Sequence, residues 1–234
     1  LEQKILNIDN GDERLKELEQ KLSEANANCK EVAGRLTATR RKAATTVERG
    51  MKDRLVPLGI PKVRFSISIE PREFQRDGCD AVAFLFSANS SSDMMPISQV
   101  ASGGEIARVM LSLKAMISNA VKLPTIIFDE IDTGVSGKIA EKMALIMQEM
   151  AQSERQKMGQ LSRDKQIICI THLPQIAARG TTHYKVYKEE TENGTESTMT
   201  RLNDEQRVNE IAQMLSGSDI TDAAKHNAKD LLGA

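Results

Sequence analysis

The sequence predicts an α/β chain entered through one long amphipathic helix, and three observations carry that expectation. First, Leu15, Leu18, Leu22, Ala25, Cys29, Val32 and Leu36 alternate steps of three and four, the spacing of a coiled-coil seam. Second, two short apolar runs, 125–128 (Thr-Ile-Ile-Phe, preceded by Pro124) and 167–170 (Ile-Ile-Cys-Ile), suit fully buried strands of a parallel sheet. Third, apolar residues recur at helical spacing ahead of the first run, as at Ile106, Val109, Met110 and Leu113; the methionines there are core gap-fillers.

Length and composition narrow the field. A chain of 234 residues holds one or two domains with a sizeable core. A net charge of −1 supplies no global field toward nucleic acid or membrane, and 28% charged with 3% aromatic residues suits long helices on an aliphatic core. Cys29, Cys79 and Cys169 form no Cys-x-x-Cys pair and leave one over, which fits a reducing compartment. With no signal peptide and no bilayer-length apolar run, a cytoplasmic protein is expected. The start at Leu1 rather than Met points to a piece of a longer protein.

Taken in order, residues 1–10 are amphipathic, and Asn10-Gly11-Asp12 is expected to interrupt the helix. The heptad rhythm continues less cleanly through Ala43, Val47, Met51 and Leu55 until Pro57, Gly59 and Pro61 stop it. One coil strand needs a partner; the plainer alternative is a lone helix packed on its own domain. Arg40, Arg41 and Lys42 could neutralise phosphates, but a solvated flank is the expected use. Residues 63–69 and 80–86 read as strands around an Asp77-Gly78 turn. Residues 87–95 read as a flexible loop that orders with nucleotide and partner.

The chemistry concentrates in 100–137. Ser102, Gly103 and Gly104 stand where a helix begins, so bare N–H groups and the helix dipole make an anion site that two glycines leave open. Ser102 to Glu105 also spells Ser-x-x-Glu, the capping box of an ordinary helix. Asp129 and Glu130 end the first apolar run, where α/β sheets bind ligands; one carboxylate can hold magnesium and the other position water. Thr171-His172 ends the second run and brings a histidine to the same edge. Arg108 is expected to pair with a surface carboxylate rather than serve the phosphate site. Gly134-Val-Ser-Gly137-Lys138 is no phosphate-cradling loop, because the interval is two residues rather than four and Ile139 follows.

Val-Ala-Ser-Gly-Gly-Glu at 100–105, Phe-Asp-Glu-Ile-Asp-Thr-Gly-Val-Ser-Gly at 128–137 and Thr-His-Leu-Pro at 171–174 resemble the signature motif, Walker B, D-loop and H-loop of ABC/SMC-type ATPases. The resemblance runs from about residue 14 onward and implies the C-terminal lobe of a P-loop ATPase head, with 1–58 the returning coiled-coil arm helix and 59–234 the lobe. It implies ATP and Mg2+ as ligands. Ser102, Gly103, Gly104 and Glu105 would meet the γ-phosphate held by an opposite head, and Asp129 would assist magnesium through water. Glu130 would act on the attacking water, Asp132 would couple the two sites, and His172 would sense the γ-phosphate. The implied partners are the N-terminal half of the same protein, which carries Walker A and the other coil strand, a second head, and DNA, with no membrane. The finer wording implies a bacterial, nucleoid-associated role in double-strand break repair, and a fragment inactive without Walker A. Without the other lobe, an uncovered apolar face invites self-association.

Beyond the motifs, 139–150 reads as a helix and 151–165 as an inserted or extended segment; Pro174 suits a helix first turn. A hairpin is expected about Asn193-Gly194, then helices over 205–215 and 221–232 with Gly217 as a cap after the Leu215-Ser-Gly-Ser218 ending. His183 and His226 lack partners at metal-ligand spacing. Two rival readings stay open: a coiled-coil interaction module with vestigial nucleotide motifs, and a hydrolase whose metal is held directly by Asp129, Glu130, Asp132 and His172.

Overall fold

The computed structural model describes residues 2–99, 102–121, 123–152, 165–191, 194–217 and 219–233. Val100, Ala101, Asn193, Ser218 and most of 151–165 lie outside them, and so do the expectations placed there. The chain divides into two compact units: Leu1–Arg49 with Phe65–Leu85, and Gly50–Arg64 with Phe86–Ala234.

The first unit is built on α1, Glu2–Leu55, as far as Arg49. The helix runs through Asn10-Gly11-Asp12 without the expected break. A single interior glycine costs only about 1 kcal/mol against alanine, which a helix of 54 residues absorbs. β1, Arg64–Gln75, and β2, Gly78–Ser87, form the expected hairpin, with Gly78 at φ +104° in the turn. The hairpin lies along the face of α1 that carries Ala33, Thr37, Arg40 and Ala44. Thr37 Oγ1 donates to Asp80 Oδ1 at 2.7 Å, Arg40 donates to Asp80 Oδ2 at 2.9 Å and to the Asp77 carbonyl at 2.8 Å, and Glu48 accepts from the Ile67 N–H at 2.7 Å. Arg40 of the basic cluster is thus occupied in folding. The seam residues Leu15, Leu18, Leu22 and Val32 point elsewhere and stay exposed.

Asp80 is buried, and the Arg40 guanidinium and Thr37 hydroxyl hold its carboxyl below the usual carboxylate range. A lowered folded pKa stabilises the clasp above the unfolded value and loses that contribution as pH falls through the folded one. Acid titration should therefore loosen the wild type more than Asp80→Asn, which should already be weaker at neutral pH. Urea midpoints from pH 7 down to about 3 check both; parallel curves for the two proteins would refute the assignment.

The second unit opens with the end of α1, where Met51 and Leu55 are fully buried, and continues through Leu58 and Ile60. β3, Met95–Pro96, is followed by a 3-10 turn at Ile97–Gln99. The loop before β3 has internal ties: Ser87 Oγ donates to the Asn89 carbonyl at 2.8 Å, and Arg64 donates to the Ser92 carbonyl.

α2, Gly103–Ala120, leads to β4, Thr125–Asp129, then α3, Gly137–Gln152, and β5, Gln166–Ile170. β4 and β5 pair in parallel, with Asp129 opposite Ile170. α3 buries Ala140, Met143, Ala144, Met147 and Met150, a helical stripe, in one core with Leu111, Ile126, Phe128 and Ile176. The strands are not buried on both faces as expected. Ile126 and Phe128 face the core, while Ile127, 55% exposed, and Ile170, 52% exposed, lie on an open face with Ile168. The apolar composition of both faces is that of a two-sided parallel sheet, of which the core packed around α3 fills one side.

α4, Pro174–Ala177, begins at proline as expected. β6, Tyr184–Thr191, and β7, Gly194–Arg201, form an antiparallel hairpin. α5, Asp204–Ser216, starts at an Asn203/Gln206 capping box and ends at Gly217 with φ +78°; α6, Asp222–Leu232, is capped by Thr221. These two helices share a small alanine-rich core around Ile211. No helix among the described residues is long and apolar enough to cross a membrane.

Candidate functional site

The parallel register sets the site. Because β4 and β5 run side by side and end together, Asp129 and Glu130 leave one strand where Thr171 and His172 leave the next. The Glu130 N–H donates to the Ile170 carbonyl at 3.2 Å and carries the ladder one residue further. Glu130 then turns the chain at φ +46°, the left-handed region and the sole such non-glycine residue among those described. Thr133 holds the turn: its hydroxyl donates to the Glu130 carbonyl at 2.9 Å and its N–H to the same oxygen at 3.3 Å. Asp129 and Glu130 both reach solvent.

Asp132 behaves differently. It is fully buried; its Oδ2 accepts from the Thr171 hydroxyl, while Oδ1 has no hydrogen-bond partner among the described residues. His172, 68% exposed at the edge, brings Nδ1 to 3.6 Å from that Oδ1. The Asp132 charge and burial, burial first, push the neighbouring Cys169 thiol up to about 12, so this cysteine stays protonated and inert.

The start of α2 packs on this turn. A Cβ on Gly104 would stand 3.1 Å from the Gly134 carbonyl oxygen and 3.3 Å from that of Thr133, whereas one on Gly103 would meet open space. The two glycines therefore divide their work: the bare Cα of Gly104 admits the neighbouring backbone, and Gly103 keeps the outer side clear. Ser102 is the N-cap residue, yet its side chain makes no capping bond, so the Ser-x-x-Glu box is not formed. Among the described residues its hydroxyl caps no backbone group, and Glu105 lies in that first turn. Among the described residues Arg108 pairs with no carboxylate, contrary to expectation. Its Nε donates to the Gly104 carbonyl at 2.9 Å and a terminal nitrogen to the Leu58 carbonyl at 3.2 Å, bracing the turn from behind.

Sequence reasoning brought Asp129, Glu130, Asp132 and His172 to one edge, and the structure places them there. It passed over Thr171 and Thr133, whose hydroxyls secure Asp132 and Glu130; adjacency to the motifs was the available signal. Direct metal ligation by those four side chains is not supported. Among the described residues, no three of His, Cys, Asp and Glu converge at metal-ligand spacing, and the Asp132 carboxylate is turned inward to Thr171. A water-shelled magnesium ion beside the exposed Asp129, and a phosphate at the open Gly103 turn, both fit.

In fold the chain resembles SMC head domains. It superposes with a TM-score of 0.51 on a chain from a structural study of ATP-driven dimerisation and DNA-stimulated activation of SMC ATPases, covering 78% of this chain and 99% of that one at 17% identity. The SMC head domain with coiled coil and joint of Pyrococcus yayanosii gives 0.54 at 19% identity, over 76% of this chain and 30% of the other. No protein-family model matches. The more particular likeness is to DNA repair protein RecN. The chain is 34% identical to that of Halalkalibacterium halodurans over 237 aligned residues and 32% identical to that of Bacillus subtilis over 248, each covering 99% of this chain. It spans 40% and 41% of those relatives' own lengths.

Proposed function

We propose that this chain is the C-terminal half of a RecN-type, SMC-like ATPase that acts in DNA double-strand break repair and recombination in the bacterial cytoplasm. The carrying observation is the edge of β4–β5, where Glu130 is held at φ +46° beside Asp129 with His172 on the adjoining strand end. A carboxylate kept in a strained backbone at an open ligand edge is a poor fit to a vestigial site.

In this reading the N–H groups of α2, the Ser102 hydroxyl and Gly103 receive the γ-phosphate of ATP held by an opposite head, and Arg108 steadies their turn. Asp129 would hold magnesium through its water shell, and the ion would supply charge neutralisation to the phosphates. Glu130 orients and deprotonates the attacking water, and His172 meets the γ-phosphate. Asp132 links the two motifs at the shared interface. The work is positioning and electrostatics, as phosphoryl transfer requires. The N-terminal half supplies the phosphate-cradling loop that no stretch of this sequence matches, and the exposed Ile127, Ile168 and Ile170 are the surface it covers. The exposed seam of α1 takes the other coil strand. ATP draws two such heads together, hydrolysis releases them, and DNA is arranged by the intact protein.

ATP turnover decides the matter. The chain alone should be silent, and mixing with the separately expressed N-terminal half should give turnover that Glu130→Gln removes. Turnover by the chain alone, or none in a well-folded mixture, would overturn the proposal.

A further inference from the structure

We infer that Thr171 is a positioning residue for His172 and acts through Asp132. The inference deepens the reading above, on which it rests for the role of His172 toward a phosphoryl oxygen. Thr171 is fixed from two sides: its oxygen accepts the Leu173 N–H at 3.0 Å, and its hydroxyl proton goes to Asp132 Oδ2. Asp132 is fully buried with Oδ1 unpartnered among the described residues, an arrangement that costs energy until a donor arrives. The group in reach is the imidazole of His172, whose Nδ1 stands 3.6 Å from Oδ1. A ring displacement of under about 1 Å closes that gap to a charge-assisted hydrogen bond.

Three consequences follow from the geometry. The proton of the neutral ring resides on Nδ1, because Asp132 can only accept. Nε2 is then the nitrogen presented at the ligand edge. The Asp132 carboxylate behind the ring also fixes which edge of the imidazole a phosphoryl oxygen at the ligand edge would meet. Carboxylates hold and orient imidazoles in this manner in catalytic and metal sites generally. The hydroxyl of Thr171 keeps Oδ2 occupied and so aims Oδ1 at the histidine.

The test reads the tautomer directly and needs no nucleotide. The chain has three histidines, so long-range proton–nitrogen spectra of the 15N-labelled protein resolve each ring. At about pH 9, where imidazoles are neutral, wild-type His172 should be chiefly the Nδ1–H form. Asp132→Asn and Thr171→Val should move it to the Nε2–H form usual for free imidazole, while Thr171→Ser should keep the wild-type pattern. His183 and His226 should not change and report that the fold is intact. Should Asp132→Asn fail to fold, the two Thr171 variants decide. An Nε2–H ring in the wild type, or the same tautomer in Thr171→Val as in wild type, overturns the inference. Either result leaves the ATPase reading standing, since turnover of the mixed halves is measured separately.

Discussion

Glu130→Gly is expected to abolish ATP turnover in the reassembled head while leaving the chain as stable as its parent, or more stable by up to about 1 kcal/mol. Most single changes at a structured turn do the reverse and lower stability. Here the parent residue holds φ +46°, where an L side chain crowds its own backbone, and glycine does not. The hydrogen bonds of the turn are made by the Glu130 backbone and the Thr133 side chain, so removing the Glu130 side chain leaves them in place. Loss of a positioned general base costs about 10²–10⁴-fold in rate. Glu130→Gln keeps the strain and the shape, and should show the same loss of turnover at unchanged stability. Denaturant midpoints and phosphate release, measured on both variants, separate the two roles. If Glu130→Gly unfolds early, or Glu130→Gln turns over normally, the carboxylate is structural and the catalytic assignment fails.

The second large effect distinguishes two neighbouring glycines. Gly104→Ala forces a methyl against the Thr133 and Gly134 carbonyl oxygens, backbone atoms that cannot rotate aside. Overpacking of this kind costs about 1–3 kcal/mol. Gly103→Ala meets nothing among the described residues and exchanges glycine for a better helix former, so stability should hold or rise slightly. Its methyl instead occupies the open side of the turn, and it should impair nucleotide-dependent association of the reassembled heads. Thermal or urea unfolding of the two single variants gives the first comparison, and sedimentation with and without ATP the second. Equal stability loss in both would mean that the turn is not packed as described.

How far the sequence spoke depended on whether a feature is periodic or relational. The long helix, the parallel apolar runs and the terminal helices were legible because each repeats a pattern along the chain. The continuity of α1 past Gly11 was not, since a lone glycine signals a break whose cost a long helix can carry. The open face of β4–β5 was misread for a plainer reason: apolar composition alone does not say which side of a strand the chain covers, and Ile127, Ile168 and Ile170 are apolar yet exposed. At the site, residue types and order indicated Asp129, Glu130 and His172. They could not show that Asp132 is buried, that Ser102 declines its cap, or that Arg108 turns to backbone carbonyls. Those outcomes depend on which atoms end up adjacent.

The clasp on α1 has a directional consequence. By fastening Thr37 and Arg40 to Asp80, the β1–β2 hairpin fixes the rotation of the helix about its own axis at that level. Leu15, Leu18 and Leu22 are wound on the same rod, so their compass bearing is set about four to seven turns away, before any partner strand arrives. The hairpin thus acts as an index pin: shifting its register by one residue would swing the apolar stripe by about 100° and present the incoming strand with charge.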